Sequence, residues 1–266
     1  MYAYFIDDWV YNNHHRKLDR LDLVLTQKGI QGRKIKLSRL HDLGGSIKDC
    51  LSSGIKTFVA VGSDTTTSRV LNSMLKDNNF SFSFACVPID EPRAIARVFG
   101  YGSMLEAVDA LAVHRTSKID IGLLNKRHYF VTAAVFPKKC SLGFKSYSIS
   151  SLYRDHHISV CNSNIYMNHT TDYARNFDIT DGVFEAVIAR RPQVSFFDKM
   201  RGKGNDSVYI PETMFPVKSI IIKSKDKTLS VFADAEKQLT SPIKVDILPQ
   251  MLEVIIGKDF YGSKQH

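Results

Sequence analysis

Gly62-Ser63-Asp64-Thr65-Thr66 is the segment of this chain best equipped for chemistry. It follows an apolar run, Thr57–Val61, and precedes a helical pattern, Val70, Leu71, Met74 and Leu75. A strand, a tight polar loop and a helix aim backbone N–H groups and a helix N-terminus at one point, which suits a phosphate. Asp64 either lines such a site or caps the helix that follows. The Thr66 hydroxyl can cap or touch a phosphate oxygen. Asn72, on the same helix, reads as structural from its position alone.

The elements that must hold this loop are legible around it. Ala3–Ile6 reads as a short buried strand. Leu18, Leu21, Val24 and Leu25 share one helical face, and Gly29 is a natural stop. Ile35 and Leu37 alternate with polar residues as in a strand, and Ile47 and Leu51 mark a helix ending at Gly54. Ser83–Val87 is a further strand ending at Pro88, and Ala94–Val98 and Met104–Val113 are helical. Repeated βα units predict an α/β N-terminal domain with a parallel sheet and flanking helices. Ligands on such sheets bind beyond the carboxyl ends of the strands, where the loop at 62–66 falls.

The second half changes character. Tyr129–Phe136, Ile158–Tyr166, Val183–Ala189, Val217–Ile222, Leu229–Ala233, Lys244–Ile247 and Leu252–Ile256 read as strands with few helices between them. The expectation is an antiparallel β-sandwich-like C-terminal domain, with domains at 1–128 and 129–266.

Composition narrows the class. At 266 residues, 44% hydrophobic and 24% charged, the chain can bury a sizeable core. Its apolar runs fall far short of the roughly 20 residues that span a bilayer, and its N-terminus lacks the basic start of a signal peptide. A cytoplasmic protein, peripheral to the membrane at most, is expected. Cys50, Cys86, Cys140 and Cys161 are widely spaced and read as free thiols. The pairs His14-His15 and His156-His157 lack metal-ligand spacing and read as solvated loops. The net charge of +9 is spread over both halves. That favours weak attraction to anionic surfaces, including headgroups and nucleotides, over a nucleic-acid-binding tail. Lys199, Arg201 and Lys203, and Lys223, Lys225 and Lys227, form either solvated loop charge or a membrane-facing patch.

Four segments, in order along nearly the whole chain, carry a resemblance. Gly62, Asp64, Thr66, Val70 and Asn72 match a GGDGT loop followed by V-x-N, with Ser63 and Thr65 in place of two glycines. Pro88, Ala96 and Arg97 match a P-L-G-T-x-N-D-F-A-R segment whose polar centre is here Asp90-Glu91-Pro92-Arg93. Ile119-Asp120-Ile121-Gly122 and Tyr129-Phe130 match an I-D-L-G…Y-F bridge. Ile179-Thr180-Asp181-Gly182, then Asp234-Ala235-Glu236 with Pro242 and Leu248-Pro249, match a D-G segment and a D-G-E…P…L-P ending. Together they resemble the diacylglycerol kinase-like lipid kinases. NAD kinases share a GGDG loop, but Pro88 and the C-terminal D-x-E pattern fit the lipid branch better.

The resemblance implies transfer of a phosphoryl group from ATP–Mg²⁺ to the hydroxyl of a diacylglycerol-like or other lipid alcohol, chemistry dominated by positioning and charge stabilisation. It implies a nucleotide set of Gly62, Ser63, Asp64, Thr65, Thr66, Asn72 and Arg93. It makes Asp234 and Glu236 the candidate general-base carboxylates, and strand alternation would put both on one face. It places a structural Mg²⁺ at Asp181, completed by backbone carbonyls at Asp178 and Val183; an oxygen-only set suits a hard cation.

The departures from the pattern carry expectations of their own. The family's Asn-Pro…Gly segment is here Asp7-Asp8-Trp9-Val10-Tyr11-Asn12. A left-handed Thr65 would be strained by roughly 1–3 kcal/mol. Asp90 and Glu91 would each repel a phosphate charge at roughly 4 Å by about 4 kcal/mol at an effective dielectric near 20, offset in part by Arg93. Weak, altered or absent ATP binding is expected, and a catalytically inactive lipid- or nucleotide-binding protein on the same scaffold is the alternative function.

Overall fold

The computed structural model describes residues 1–38, 40–76, 82–90, 93–137, 140–143, 148–150, 156–166, 177–190 and 210–260. Glu91, Pro92, Lys199, Arg201 and Lys203 lie outside the described residues.

The first half is βα-repetitive: β1 (Tyr2–Asp7), α1 (Asp8–Asn13), α2 (His15–Gln27), β2 (Gly32–Leu37), α3 (Leu43–Ser52), β3 (Thr57–Gly62), α4 (Asp64–Leu75), β4 (Ser83–Pro88), α5 (Ala94–Val98) and α6 (Met104–Val113). Strands β2, β1, β3 and β4 lie side by side, all parallel. Helix α2 buries Leu18, Leu21 and Leu25, spaced three and four apart on one face. Helices α2 and α6 pack together, as do α3 and α4. This cover leaves β3 and β4 buried along their whole length. Fully buried Phe58 and Phe84 each contribute about 1.5–3 kcal/mol of hydrophobic stabilisation.

The second half is strand after strand: β5 (Thr116–Leu124), β6 (His128–Phe130), β7 (Ala133–Phe136), β8 (Cys140–Gly143), β9 (Ser148–Ser150), β10 (His156–Cys161), β11 (Phe184–Arg190), β12 (Ile210–Val217), β13 (Ser219–Ser224), β14 (Thr228–Ala233), β15 (Ala235–Thr240) and β16 (Ile243–Ile255). One antiparallel sheet runs β12-β11-β10-β7-β14-β15. It faces the antiparallel end of the first sheet, β16-β13-β8-β9 with β5 on β16, across a core that includes Phe130, Phe136, Phe184, Ile222 and Val245. The expected architecture, a parallel α/β unit and an antiparallel sandwich, is the observed one.

Strand β16 joins the two. Its start pairs antiparallel with β13, and its end pairs parallel with β4 through Glu253↔Ser83 and Val254↔Phe84. The runs 244–247 and 252–256, expected as separate strands, are one strand with a register shift between Leu248 and Leu252. Pro249 and a positive-φ Gln250 break its ladder there without ending it.

Other boundaries move for similar reasons. Tyr129–Phe136 is interrupted at Val131-Thr132, whose backbone N–H groups turn toward Asp234 instead of a neighbouring strand. Val217–Ile222 straddles the junction of β12 and β13, and the strand begun at His156 ends at Cys161. His156 and His157 are not solvated loops; they lie buried on β10, a central strand of its sheet. All four cysteines are free and buried. No helix among the described residues is long and apolar enough to cross a membrane.

Candidate functional site

The loop after β3 is built around Gly62. Its φ of 156°, and the 2.7 Å that would separate an added Cβ from Thr66 Oγ1, exclude a side chain. Ser63 is the N-cap of α4, its hydroxyl accepting from Thr66 N at 3.4 Å. Thr66 Oγ1 in turn donates to Asp7 Oδ2 at 2.6 Å. Asp7 Oδ1 accepts from Trp9 N, so one carboxylate caps α1 and anchors the loop after β3.

Asp64 does cap a helix, but not the one that follows it. Its carboxylate accepts from Ala94 N at 2.8 Å and Ile95 N at 3.2 Å, the N-terminus of α5. The carboxyl ends of β1, β3 and β4 therefore gather three helix N-termini, and two are met by the protein's own carboxylates. The strain expected at Thr65 is absent. Thr65 is exposed in the first turn of α4 and is not among the positive-φ residues. A helical position needs no glycine, and only Gly62 in this loop does.

Around this mouth, His14 Nε2 stands 3.7 Å from Asp90 Oδ2, and Lys17 Nζ donates to the Ile89 carbonyl at 2.8 Å. Arg93 begins α5 and gives Nη1 to the Gly102 carbonyl at 2.6 Å, so it braces the chain after α5.

Asn72 lies eight residues beyond Asp64, about 12 Å along the helix. Its Nδ2 donates to the Tyr129 carbonyl at 2.9 Å and its Oδ1 accepts from Tyr129 N at 2.8 Å. The side chain thus substitutes for a strand partner at the start of the second half. Two residues later Val131 N and Thr132 N donate to Asp234 Oδ2 and Oδ1, and Thr132 Oγ1 donates to Oδ1 as well. Helix α4 therefore carries the loop at its N-terminus and, through Tyr129, the segment that holds Asp234.

Asp234 and Glu236 do not share a face. Asp234 sits between β14 and β15 with φ 55°, buried, while Glu236 is exposed and accepts from Ser230 Oγ at 2.5 Å. The left-handed turn breaks the alternation that the sequence spacing assumes. Burial pushes the Asp234 carboxyl above its ordinary range despite the donors from Thr132 and Val131. Burial also lowers Lys237, with the Asp234 charge pulling the other way.

The third cluster surrounds the turn before β11. Asp178 Oδ1 accepts from Thr180 N and Oγ1, and Asp181 Oδ1 accepts from Val183 N. Asp120, buried on β5, accepts from Gly182 N at 2.6 Å and Gln250 N at 2.7 Å. Burial raises Asp120 and Asp181, with neighbouring carboxylates adding to each. Among the described residues no three His, Cys, Asp or Glu side chains converge as a metal cage. The turn carries the carboxylates of Asp178 and Asp181, oxygen donors of the kind that suit a hard cation. Sequence reading gave Asp120 no role in this cluster. The available signal was a lone carboxylate inside the apolar run Ile119-Asp120-Ile121.

No protein-family model and no curated protein matches the sequence. Solved structures do. A diacylglycerol kinase from Bacillus anthracis str. Sterne superposes with a TM-score of 0.70 at 13% identity, over 96% of this chain and 97% of that one. An NAD kinase from Archaeoglobus fulgidus, in complex with ATP, superposes with a TM-score of 0.55 at 10% identity, over 97% of this chain and 94% of that one. The chain has the fold of these kinases over nearly its whole length.

Proposed function

We propose that this protein is a kinase-type phosphotransferase that uses ATP–Mg²⁺ to phosphorylate the hydroxyl of a diacylglycerol-like or other lipid alcohol. The observation that carries this reading is the gathering of Gly62–Thr66, Asp7 and Asp64 at the carboxyl ends of three parallel strands, joined by α4, Asn72 and Tyr129 to the segment that Asp234 holds. A fold shared with diacylglycerol and NAD kinases supports it.

In this reading the α4 N-terminus, Ser63, Thr65 and Thr66 receive the phosphates, Gly62 lets the backbone approach them, and Arg93 shapes the adjoining wall. Asp234 is the base at the acceptor hydroxyl, with Glu236 at the rim. Mg²⁺ would supply charge neutralisation at the triphosphate, and a second ion would be held by the Asp181 carboxylate with the backbone carbonyls of Asp178 and Val183. The positive net charge favours work at an anionic membrane surface.

A second reading, a non-catalytic nucleotide- or lipid-binding protein, is favoured by one observation. Both oxygens of Asp234 already accept hydrogen bonds from Val131 and Thr132, which opposes their use as a base. Radiolabelled ATP offered with a panel of lipid alcohols in mixed micelles decides between the two. Label transfer that disappears in Asp234→Asn supports the first reading. Tight ligand binding without transfer supports the second.

A further inference from the structure

The segment after β1 lacks the Asn-Pro…Gly pattern and forms α1, which begins Asp8-Trp9. Trp9 is the chain's single tryptophan and keeps 37% of its surface exposed. A large aromatic at this exposure is suited to a planar partner. Two contacts fix which way it faces. On one side of α1, Asp8 pairs with Lys36 of β2 at 2.7 Å, and Lys36 lies over the Tyr11 ring. On the other, the Trp9 ring meets His14 edge-on at 4.4 Å between centroids, and His14 reaches Asp90 beyond the end of β4. Since β3 lies between β1 and β4, the line Trp9–His14–Asp90 passes across the end of β3, where Gly62–Thr66 sits. The Trp9 backbone N–H is held by Asp7, whose other oxygen holds Thr66. The backbone that carries the indole is thereby tied to the Gly62–Thr66 loop through a single carboxylate.

We propose that Trp9 is the side chain on which the base of a bound nucleotide stacks, an inference that rests on the nucleotide reading above. Stacking on an indole face is tolerant of base identity, because every base presents a π-face. The site therefore takes purine nucleoside triphosphates with little choice between adenine and guanine. His14 braces the ring edge-on, leaving a face for the ligand, and Asp7 sets its distance from the phosphates.

The single tryptophan makes the test direct. The full-length protein is titrated with MgATP, MgGTP and Mg-tripolyphosphate, reading Trp9 emission and calorimetric heat in parallel. Expected are heat and a change in emission with both nucleotides, at affinities within about threefold of each other. Tripolyphosphate is expected to give heat with little change in emission. Trp9→Leu weakens MgATP about fivefold to tenfold and leaves tripolyphosphate unchanged, while Trp9→Phe, which keeps a ring, loses less. MgATP heat with unmoved emission, or an unchanged affinity in Trp9→Leu, overturns the stacking role and leaves nucleotide binding intact. No heat with any of the three ligands overturns both.

Discussion

Asn72 and Tyr129 exchange two hydrogen bonds, of 2.9 and 2.8 Å, joining the helix that follows the Gly62–Thr66 loop to the first residues of the β-rich half. Both groups are buried. Asn72→Ala leaves the N–H and C=O of Tyr129 without partners, at about 1–3 kcal/mol for each buried group. The expected outcome is a loss of about 2–6 kcal/mol in urea unfolding. At temperatures where the variant stays folded, nucleotide affinity changes less than threefold. A large affinity loss with intact stability would return Asn72 to the nucleotide site.

Asp234 and Glu236 separate in the same way. Asp234 gathers three donors in a buried turn, and Glu236 is exposed. Asp234→Asn forces an amide N–H toward a donor and costs about 1–3 kcal/mol, whereas Glu236→Gln changes stability by less than about 0.5 kcal/mol. Thermal unfolding of both variants checks this. If Asp234 also acts as base, its variant loses turnover at temperatures where it remains folded, with KM little changed.

How far the sequence could be read follows from where the interactions are local. Strands β1, β3 and β4 and helices α2 and α4 declare themselves because burial alone sets their patterns. Gly62 and Ser63 are legible because a turn and an N-cap involve neighbours four residues apart or fewer. Asp64 was legible as a cap and not as to which helix, since Ala94 is 30 residues away. The bend at Val131-Thr132, the turn at Asp234 and the role of Asp120 depend on partners 60 to 130 residues distant, and no periodicity reports those. The burial of His156 and His157 is not legible in the sequence because their strand is covered on both faces, where a polar pair looks like a loop.

His157 makes stability depend on pH. Burial, with His156 adding to it, lowers its pKa to about 4, while its Nε2 lies 3.2 Å from the Tyr166 hydroxyl. The unfolded chain, with an ordinary histidine near 6.5, binds the proton more readily than the folded one. Stability from this residue is therefore complete above about pH 6.5 and is lost as pH falls toward 4, by up to about 3 kcal/mol. His157→Phe leaves Tyr166 bonded to Ser159 and flattens the curve over that interval. Urea midpoints at pH 4.5, 5.5 and 7 measure it.

The turn that contains Asp178, Asp181 and Val183 responds to Mg²⁺ if the cation binds there. Burial raises Asp181, with the Asp178 charge adding to it, and a cation relieves that repulsion. Binding to the folded state alone stabilises it by about 2.7 kcal/mol at a hundredfold excess over Kd. Millimolar Mg²⁺ raises the melting temperature of the wild type by several degrees. Asp181→Asn melts higher without the ion and gains little from it.

Asp7 receives the Thr66 hydroxyl at 2.6 Å. A carboxylate there adds negative charge to the loop that would hold a triphosphate. At roughly 4 Å and an effective dielectric near 20, each such charge pair is unfavourable by about 4 kcal/mol before screening. Asp7→Asn keeps an acceptor oxygen for Trp9 N and turns its amide N–H toward the Thr66 hydroxyl, which can reverse to accept it, and asparagine caps a helix as well as aspartate does. Stability is therefore expected to change by less than about 1 kcal/mol. MgATP affinity is expected to rise at least tenfold, and the gain to shrink with added salt, as for any partly exposed charge. Calorimetry at two ionic strengths reads both effects. Affinity that falls in Asp7→Asn would mean that Asp7 contacts the ligand favourably, through Mg²⁺ or a ribose hydroxyl, and that this carboxylate is part of how the chain binds its nucleotide.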